Sequence, residues 1–211
     1  MQLNMSKTKF MLFNPTLSFD FVPLYKIQDK ELETVEEMKL LGLILRNDLS
    51  WKSNTENMVK RANSRLWMVK RSKNRGANLK DLVEIYTKQV RSVLEFGVPV
   101  WNSKLTKEEI VDIERIQKSF LHIALGNCYL DYDNALVKSN LEALEERRTI
   151  LCLNFARKSA KHPKHKHWFV ENNPPGPATR SEKTTYISPL CRLDRFQRSP
   201  IPYLTSLLNY E

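Results

Sequence analysis

Between Asn78 and Gly126 the chain spells out two helices with their own start and stop signals, and this stretch limits the fold more than any other. Asn78 stands as an N-cap with Asp81 three residues on. Leu79, Leu82, Val83, Tyr86, Val90, Val93 and Leu94 recur at helical spacing to make one apolar face, and Gly97 closes the segment. A short polar side chain at the N-cap accepts from an otherwise unpaired backbone N–H, and glycine ends a helix because it enters the left-handed region without a Cβ penalty. Thr106 and Glu109 form a capping box ahead of Ile110, Ile113, Ile116, Phe120 and Ile123, with Gly126 as the stop. Both apolar faces must be buried, so the centre of the molecule is expected to be a helical bundle.

The flanks extend this reading. From Ser50 the period is also helical, with Met58, Ala62, Leu66 and Val69 in one stripe that ends before Gly76. Ser139 and Glu142 make a further capping box, opening a helix through Leu144, Leu151 and Phe155 towards His162-Pro163. Residues 7–45 read as strands, from the short apolar runs KFMLF and LLGLIL. Between them LYKIQ and ELETV flank Asp29-Lys30, a hairpin turn, and Gly42 inside the last strand suggests a bulge or a close backbone approach. VENNPPGPATRSEK is a polar, proline-rich linker, and IPYLTSLL beyond it is expected to dock back on the body. The expected fold is α+β: a small N-terminal antiparallel sheet, then a mostly helical bundle and a short docked tail. The expected segments are 1–49, 50–127, 128–169, a linker at 170–184 and a tail at 185–211.

Charge bears on partners. Thirty-four Lys and Arg against 24 Asp and Glu give a net charge of +10, which favours a polyanion, nucleic acid before a membrane surface. The plainer reading is a basic protein with a well-solvated exterior. Cys128, Cys152 and Cys191 are odd in number and lack framework spacing, so they read as free thiols in a reducing compartment. No apolar run approaches the roughly 20 residues of a spanning helix. The leading residues lack a basic segment followed by an apolar one. The expected location is intracellular, cytoplasmic or nuclear, and not secreted.

The densest basic cluster follows Trp51: Lys60, Arg61, Arg65, Lys70, Arg71, Lys73 and Arg75. On a helical wheel Lys60, Trp67 and Arg71 share one side, opposite Met58, Ala62 and Leu66. Cations there would neutralise phosphates and an indole would stack on a base or sugar. The alternative puts Trp67 against a neighbouring element on a solvated helix. His162, His165 and His167 crowd into six residues, but no Cys or carboxylate stands at ligand spacing, so a solvated basic helix end is favoured over a metal site. His122, among Phe120, Leu121 and Ile123, reads as a core or boundary histidine. Asp131 and Asp133 are either a carboxylate pair for Mg²⁺ or a helix cap. No Gly-rich phosphate loop, HExxH or GxSxG is present.

Several stretches taken together resemble one family. LNMSKTKFMLFNP, with Asn4, Lys7 and Thr8, is similar to motif D of the reverse transcriptases of non-LTR retrotransposons. VEEMKLLGLILRNDLSW, with Lys39, Leu41, Gly42 and Leu49 to Trp51, resembles their motif E, the primer grip. IYTKQVRSVLEFGVPVW and IERIQKSFLHIALG are similar to helices of their thumb, and LEALEERRTILCLNFARKSAKHP resembles the stretch that closes such reading frames. The resemblance covers nearly the whole chain in order. It implies a palm remnant with a primer-grip hairpin at 1–49, a thumb-like domain at 50–127 and a C-terminal helical region at 128–169. It also implies an RNA or DNA duplex as partner. Lys7 would lie near the triphosphate, and Lys39, Gly42, Lys60, Arg61, Trp67, Lys70 and Arg71 would contact nucleic acid. The family enzyme uses two Mg²⁺ held by aspartates, yet this sequence has no adjacent Asp-Asp pair. The resemblance therefore implies a fragment whose fingers and most of whose palm would lie upstream. Such a fragment is inactive alone, has no cofactor of its own and can self-associate through an exposed sheet edge.

Overall fold

The structure is a computed structural model describing residues 8–13, 25–27, 30–172 and 185–210. The chain divides into two compact units, Met1–Met58 and Val59–Glu211. This grouping differs from the five expected segments. Its boundary falls inside a helix, and residues 59–127, 128–169 and the tail share one unit.

Among its described residues the first unit holds six short strands: β1 (Lys9–Phe10), β2 (Lys26–Ile27), β3 (Lys30–Glu31), β4 (Glu33–Thr34), β5 (Glu37–Leu40) and β6 (Leu43–Arg46). Among the described residues they form three separate two-stranded ladders. β2 with β3 and β5 with β6 are antiparallel, while β1 with β4 is parallel. The expected single antiparallel sheet is thus corrected. Of KFMLF, Lys9 and Phe10 are the residues paired, with Glu33 and Thr34. Ile27 pairs with Lys30 as a hairpin requires, so Lys30 belongs to β3 rather than to the expected turn, and Asp29 lies outside the described residues.

LLGLIL is not one strand either. Leu40 pairs with Leu43, and Leu41 (φ 47°) and Gly42 (φ 92°) make the two-residue turn between them. Two consecutive positive-φ residues match the twist of a tight hairpin. Gly42 is therefore a turn residue rather than a bulge. Beyond the hairpin, Arg46 lies 3.3 Å from the Asp48 carboxylate and 3.8 Å from Glu37. Asp48 also accepts from the Ser50 N–H at 2.9 Å, an Asx turn that leads into the next helix.

That helix, α1 (Lys52–Asn74), begins in the first unit and ends in the second. Asn54 accepts from the Ile44 N–H at 3.1 Å and so ties β6 to the first turn of α1. The far end closes at Gly76 (φ 87°): the Gly76 N–H donates to Lys73 O and the Ala77 N–H to Ser72 O. This is the Schellman pattern that a left-handed glycine permits.

The second unit carries the core. α2 (Leu79–Ile85) runs into a π-helical stretch (Tyr86–Arg91) and α3 (Ser92–Leu94). The expected cap is present, since Asn78 accepts from the Asp81 N–H at 2.9 Å. Gly97 (φ 69°) turns the chain into α4 (Val98–Trp101), followed by α5 (Lys107–Leu125), α6 (Tyr132–Ser139), α7 (Leu144–Lys161), α8 (Asp194–Gln197) and α9 (Pro200–Tyr210). α5 has the expected reciprocal capping box of Thr106 and Glu109 and stops at Gly126. Leu82, Tyr86, Val90, Leu94, Ile113 and Phe120 are buried, and the Tyr86 and Phe120 rings stack at 4.1 Å. Burial of this apolar surface is the main stabilising term. Trp101 is fully buried, with its indole N–H donating to Phe96 O at 2.9 Å. The tail docks as expected: α9 packs on α7 and α4 with Pro202, Leu204, Thr205 and Leu208 buried.

Two readings of the second unit are corrected. Ser139 does not cap a helix. It ends α6, buried, with its hydroxyl donating to Ala135 O at 2.7 Å. α7 starts at Leu144 after Ala143, which makes no side-chain cap. The buried stripe of α7 is Leu144, Arg148, Cys152, Ala156 and Ser159, while Phe155 is exposed.

Candidate nucleic-acid interface

The surface of α1 is set by its period. Ala62, Leu66 and Val69 are buried, which turns Lys60, Arg61, Trp67, Lys70 and Arg71 outward. Trp67 is 57% exposed, so it is not a core residue. The Arg71 guanidinium sits 5.9 Å from the Trp67 ring centroid, within cation–π range. Among the described residues Lys60, Arg61, Lys70 and Arg71 have no ion-pair partner. An exposed indole flanked by unpaired cations can neutralise phosphates while offering a ring face to a sugar or base.

Not every cation of the sequence cluster belongs to this surface. The Arg65 guanidinium donates to Gln89 O at 2.6 Å, inside the π-helical stretch. The Lys73 ammonium donates to Ile123 O near the end of α5. Ile123 is among the last four residues of α5, whose carbonyls lack an intrahelical donor. Arg75 is exposed.

The remaining candidates fall elsewhere. Lys39 is exposed on β5 and Gly42 is at the hairpin turn, both in the first unit. Lys7 lies outside the described residues; two residues on, Lys9 pairs with Glu33 at 3.2 Å. Asp131 is a helix cap. Its two carboxylate oxygens accept from the Asn134 backbone N–H at 2.8 Å and side-chain amide at 2.7 Å. Those hydrogen bonds, the backbone one first, hold its carboxyl below the usual range. Asp133 is exposed on α6. His122 is exposed rather than core, and its ring stacks on Tyr129 at 3.6 Å. His162, His165 and His167 do not converge on a point. His162 stacks on His165, His165 on Trp168, and His167 meets Trp168 edge-on. Among the described residues no group of three His, Cys, Asp or Glu is placed to hold a metal ion.

A buried polar network escaped the sequence reading. Gln117 is fully buried on the inner face of α5, between Ile113 and Phe120. Its carbonyl accepts from the Tyr86 hydroxyl at 2.7 Å, and its amide donates to Tyr132 Oη at 3.0 Å and Glu142 O at 2.8 Å. The Tyr132 hydroxyl in turn donates to Glu114, which also accepts from the Leu144 N–H at 3.0 Å. Burial, then the Glu114 hydrogen bond, pushes the Tyr132 hydroxyl pKa up. Arg148, also buried, donates to Asn102 Oδ1 at 3.0 Å. The available signal was a glutamine on the apolar stripe of a strongly patterned helix. Every donor and acceptor of its amide is used, so the network joins α5, α6 and the start of α7 and reads as structural.

The chain matches no family model, no curated protein and no solved structure. Among the described residues no helix is long and apolar enough to cross a membrane.

Proposed function

We propose that this chain is a nucleic-acid-binding fragment of a non-LTR retrotransposon reverse transcriptase, keeping template–primer contacts and lacking the catalytic aspartates. The observation that carries the reading is the outward Trp67 with Lys60 and Arg71 on its side of α1, opposite a buried stripe. The ordered motif resemblance supports it, with Lys39 and Gly42 on a tight hairpin. In this reading the first unit is the palm remnant and the helices are the thumb. The partner is an RNA or DNA duplex, and the location is cytoplasmic or nuclear. Lys7 is the motif D residue, and the exposed strand edges of the first unit are a route to self-association.

The residues present do not fit a two-metal centre. The sequence has no adjacent aspartate pair, and both Asp131 oxygens are occupied by Asn134. The chain alone is therefore expected to extend no primer with Mg²⁺ or Mn²⁺. Incorporation by clean protein would end the fragment reading in this form. A second reading, a non-enzymatic binding protein derived from such a fragment, rests on the same surface and shares its binding test.

That test is a duplex titration against salt. Contacts of this kind hold phosphates rather than base edges, so binding is sequence-tolerant, with Kd of about 10⁻⁴–10⁻⁶ M at physiological salt. The Lys60→Ala/Arg71→Ala variant should lower the slope of log K against log salt by roughly two. Trp67→Ala should weaken binding by about 1–3 kcal/mol with little change in slope. Because Trp67 is exposed, its melting temperature should hardly move. A full slope in the double variant sinks the α1 interface.

A further inference from the structure

A second, differently built surface lies where α7 ends. His162 leaves the helix in an extended conformation, and Pro163 follows it. Proline disfavours a helical residue before it, so the chain must turn here. The turn is tightly bonded. The His165 and Lys166 N–H groups both donate to His162 O at 2.9 Å, and the Trp168 N–H donates to His165 O at 2.9 Å. The Lys164 N–H donates to the Nδ1 of His162 at 3.2 Å, which orients that ring. Phe169 is buried directly after, and Asn209 of α9 grips Tyr186, whose ring meets Phe169 edge-on.

The product is a short ladder of flat rings. His162 lies 4.7 Å from His165 at an interplanar angle of 27°, and His165 lies 4.6 Å from Trp168 at 8°. His162, at the end of the ladder, is exposed. Lys158, Lys161, Lys164 and Lys166 flank it in the chain, all exposed and with no ion-pair partner among the described residues. Lysines in the last turn of a helix also answer its carbonyl dipole, which accounts for Lys158 and Lys161. It does not account for Lys164 and Lys166, which lie beyond the helix, nor for three rings stacked in succession at the surface.

We propose that the His162–His165–Trp168 ladder is a stacking platform for an unpaired nucleic-acid strand, with Lys161, Lys164 and Lys166 holding its phosphates. The inference extends the proposed nucleic-acid function, assigning a single strand to this end of α7 and the duplex to α1. A base in a single strand exposes both faces and extends a ring stack, whereas a base inside a duplex is already stacked. Hydrogen bonds of the turn fix the ladder in advance, so little ordering is left to oppose binding. Stacking ignores base identity, so the site is sequence-tolerant.

The test uses the full chain with oligothymidylate and oligouridylate of about 12 nucleotides, a length within the footprint of such platforms. A blunt duplex and vesicles rich in phosphatidylserine serve as comparisons. Trp168→Ala should weaken at least one single strand by roughly 5- to 100-fold and leave duplex affinity unchanged. Trp168→Phe, which keeps a ring face, should bind nearly as wild type. In Trp67→Phe, Trp168 is the one remaining indole that is not buried, so a single strand should quench tryptophan emission. Should Trp168→Ala prove unstable, the exposed triple variant Lys161→Ala/Lys164→Ala/Lys166→Ala decides instead, with an expected loss of about two from the single-strand salt slope. Unchanged single-strand binding in a folded Trp168→Ala, or an unchanged slope in the triple variant, overturns the proposal. Binding to vesicles but to neither oligonucleotide also overturns it, by assigning the patch to a lipid surface. Failure of the duplex titration alone removes the α1 reading and leaves the ladder standing.

Discussion

Set beside each other, the strand-bearing segment and the helical unit are held in different ways. No described residue from 8 to 50 is buried, whereas Leu82, Tyr86, Val90, Trp101, Ile113 and Phe120 are at most 1% exposed. The strands rely on ladders of two to four rungs and on solvent-exposed ion pairs such as Lys9–Glu33 and Lys26–Glu31. Pairs of that kind contribute about 0–1 kcal/mol each, and small two-stranded ladders are marginal in water. Across 79–125, α2 and α5 have side-chain N-caps, and the segment has an apolar core and a hydrogen-bonded buried glutamine. The lesson is that hydrogen-bonded backbone in this chain is not evidence of equal stability; burial decides it.

The widest gap should appear in amide hydrogen exchange. Amides of β5 and β6 should exchange with an opening free energy near zero, whereas buried stretches of α5 should approach the global value, about 5–15 kcal/mol for a domain. Matching protection in both would break the comparison. Next in size is truncation of the core. Phe120→Ala removes the ring stacked on Tyr86 and should cost about 3–5 kcal/mol in a denaturant melt; a cost under 1 kcal/mol would mean the helical core is looser than its burial implies. A smaller effect is expected from Gln117→Ala, which strands the buried Tyr86 hydroxyl and removes the donor to Glu142 O, while Tyr132 keeps its bond to Glu114; it should cost roughly 1–3 kcal/mol. The smallest lies in the hairpin and has the opposite sign. Leu41 holds a left-handed φ of 47° while 88% exposed. Leu41→Asn, which suits the first position of this turn, should raise hairpin protection by about 0.5–1 kcal/mol. A loss of protection would show that Leu41 is held by something other than local geometry.

Legibility followed the range of the interactions. The Asn78 cap, the Thr106–Glu109 box, the glycine stops at 76, 97 and 126 and the inward face of α1 depend on residues three to seven apart, and all are present. The outward set Lys60, Arg61, Trp67, Lys70 and Arg71 follows from the same period. The false box at Ser139 shows the limit of such signals. Ser, x, x, Glu is also met where a helix ends, and there the hydroxyl turned back to Ala135 O. Strand lengths differ from those the apolar runs suggest, because such runs state a preference while pairing requires a partner. Gly42 suggests a bulge or a close backbone approach from sequence, yet sits in a turn, because alternation does not show where the chain reverses.

The sequence by itself determined the helix starts at Asn78 and Thr106, the stops at Gly76, Gly97 and Gly126, which side of α1 faces water and that the chain is strongly basic, since each depends on local spacing or on a sum over residues. Only the tertiary structure decided the roles of chemically similar side chains. It sent Arg65 to Gln89 O, Lys73 to Ile123 O and Arg148 to Asn102 while leaving Arg71 on Trp67. It also turned Arg148 and Cys152 inward on α7 in place of Phe155. The reason is that the acceptor met by the Arg148 Nε–H is Asn102 Oδ1, 46 residues away in the chain. No periodicity within one helix carries that information.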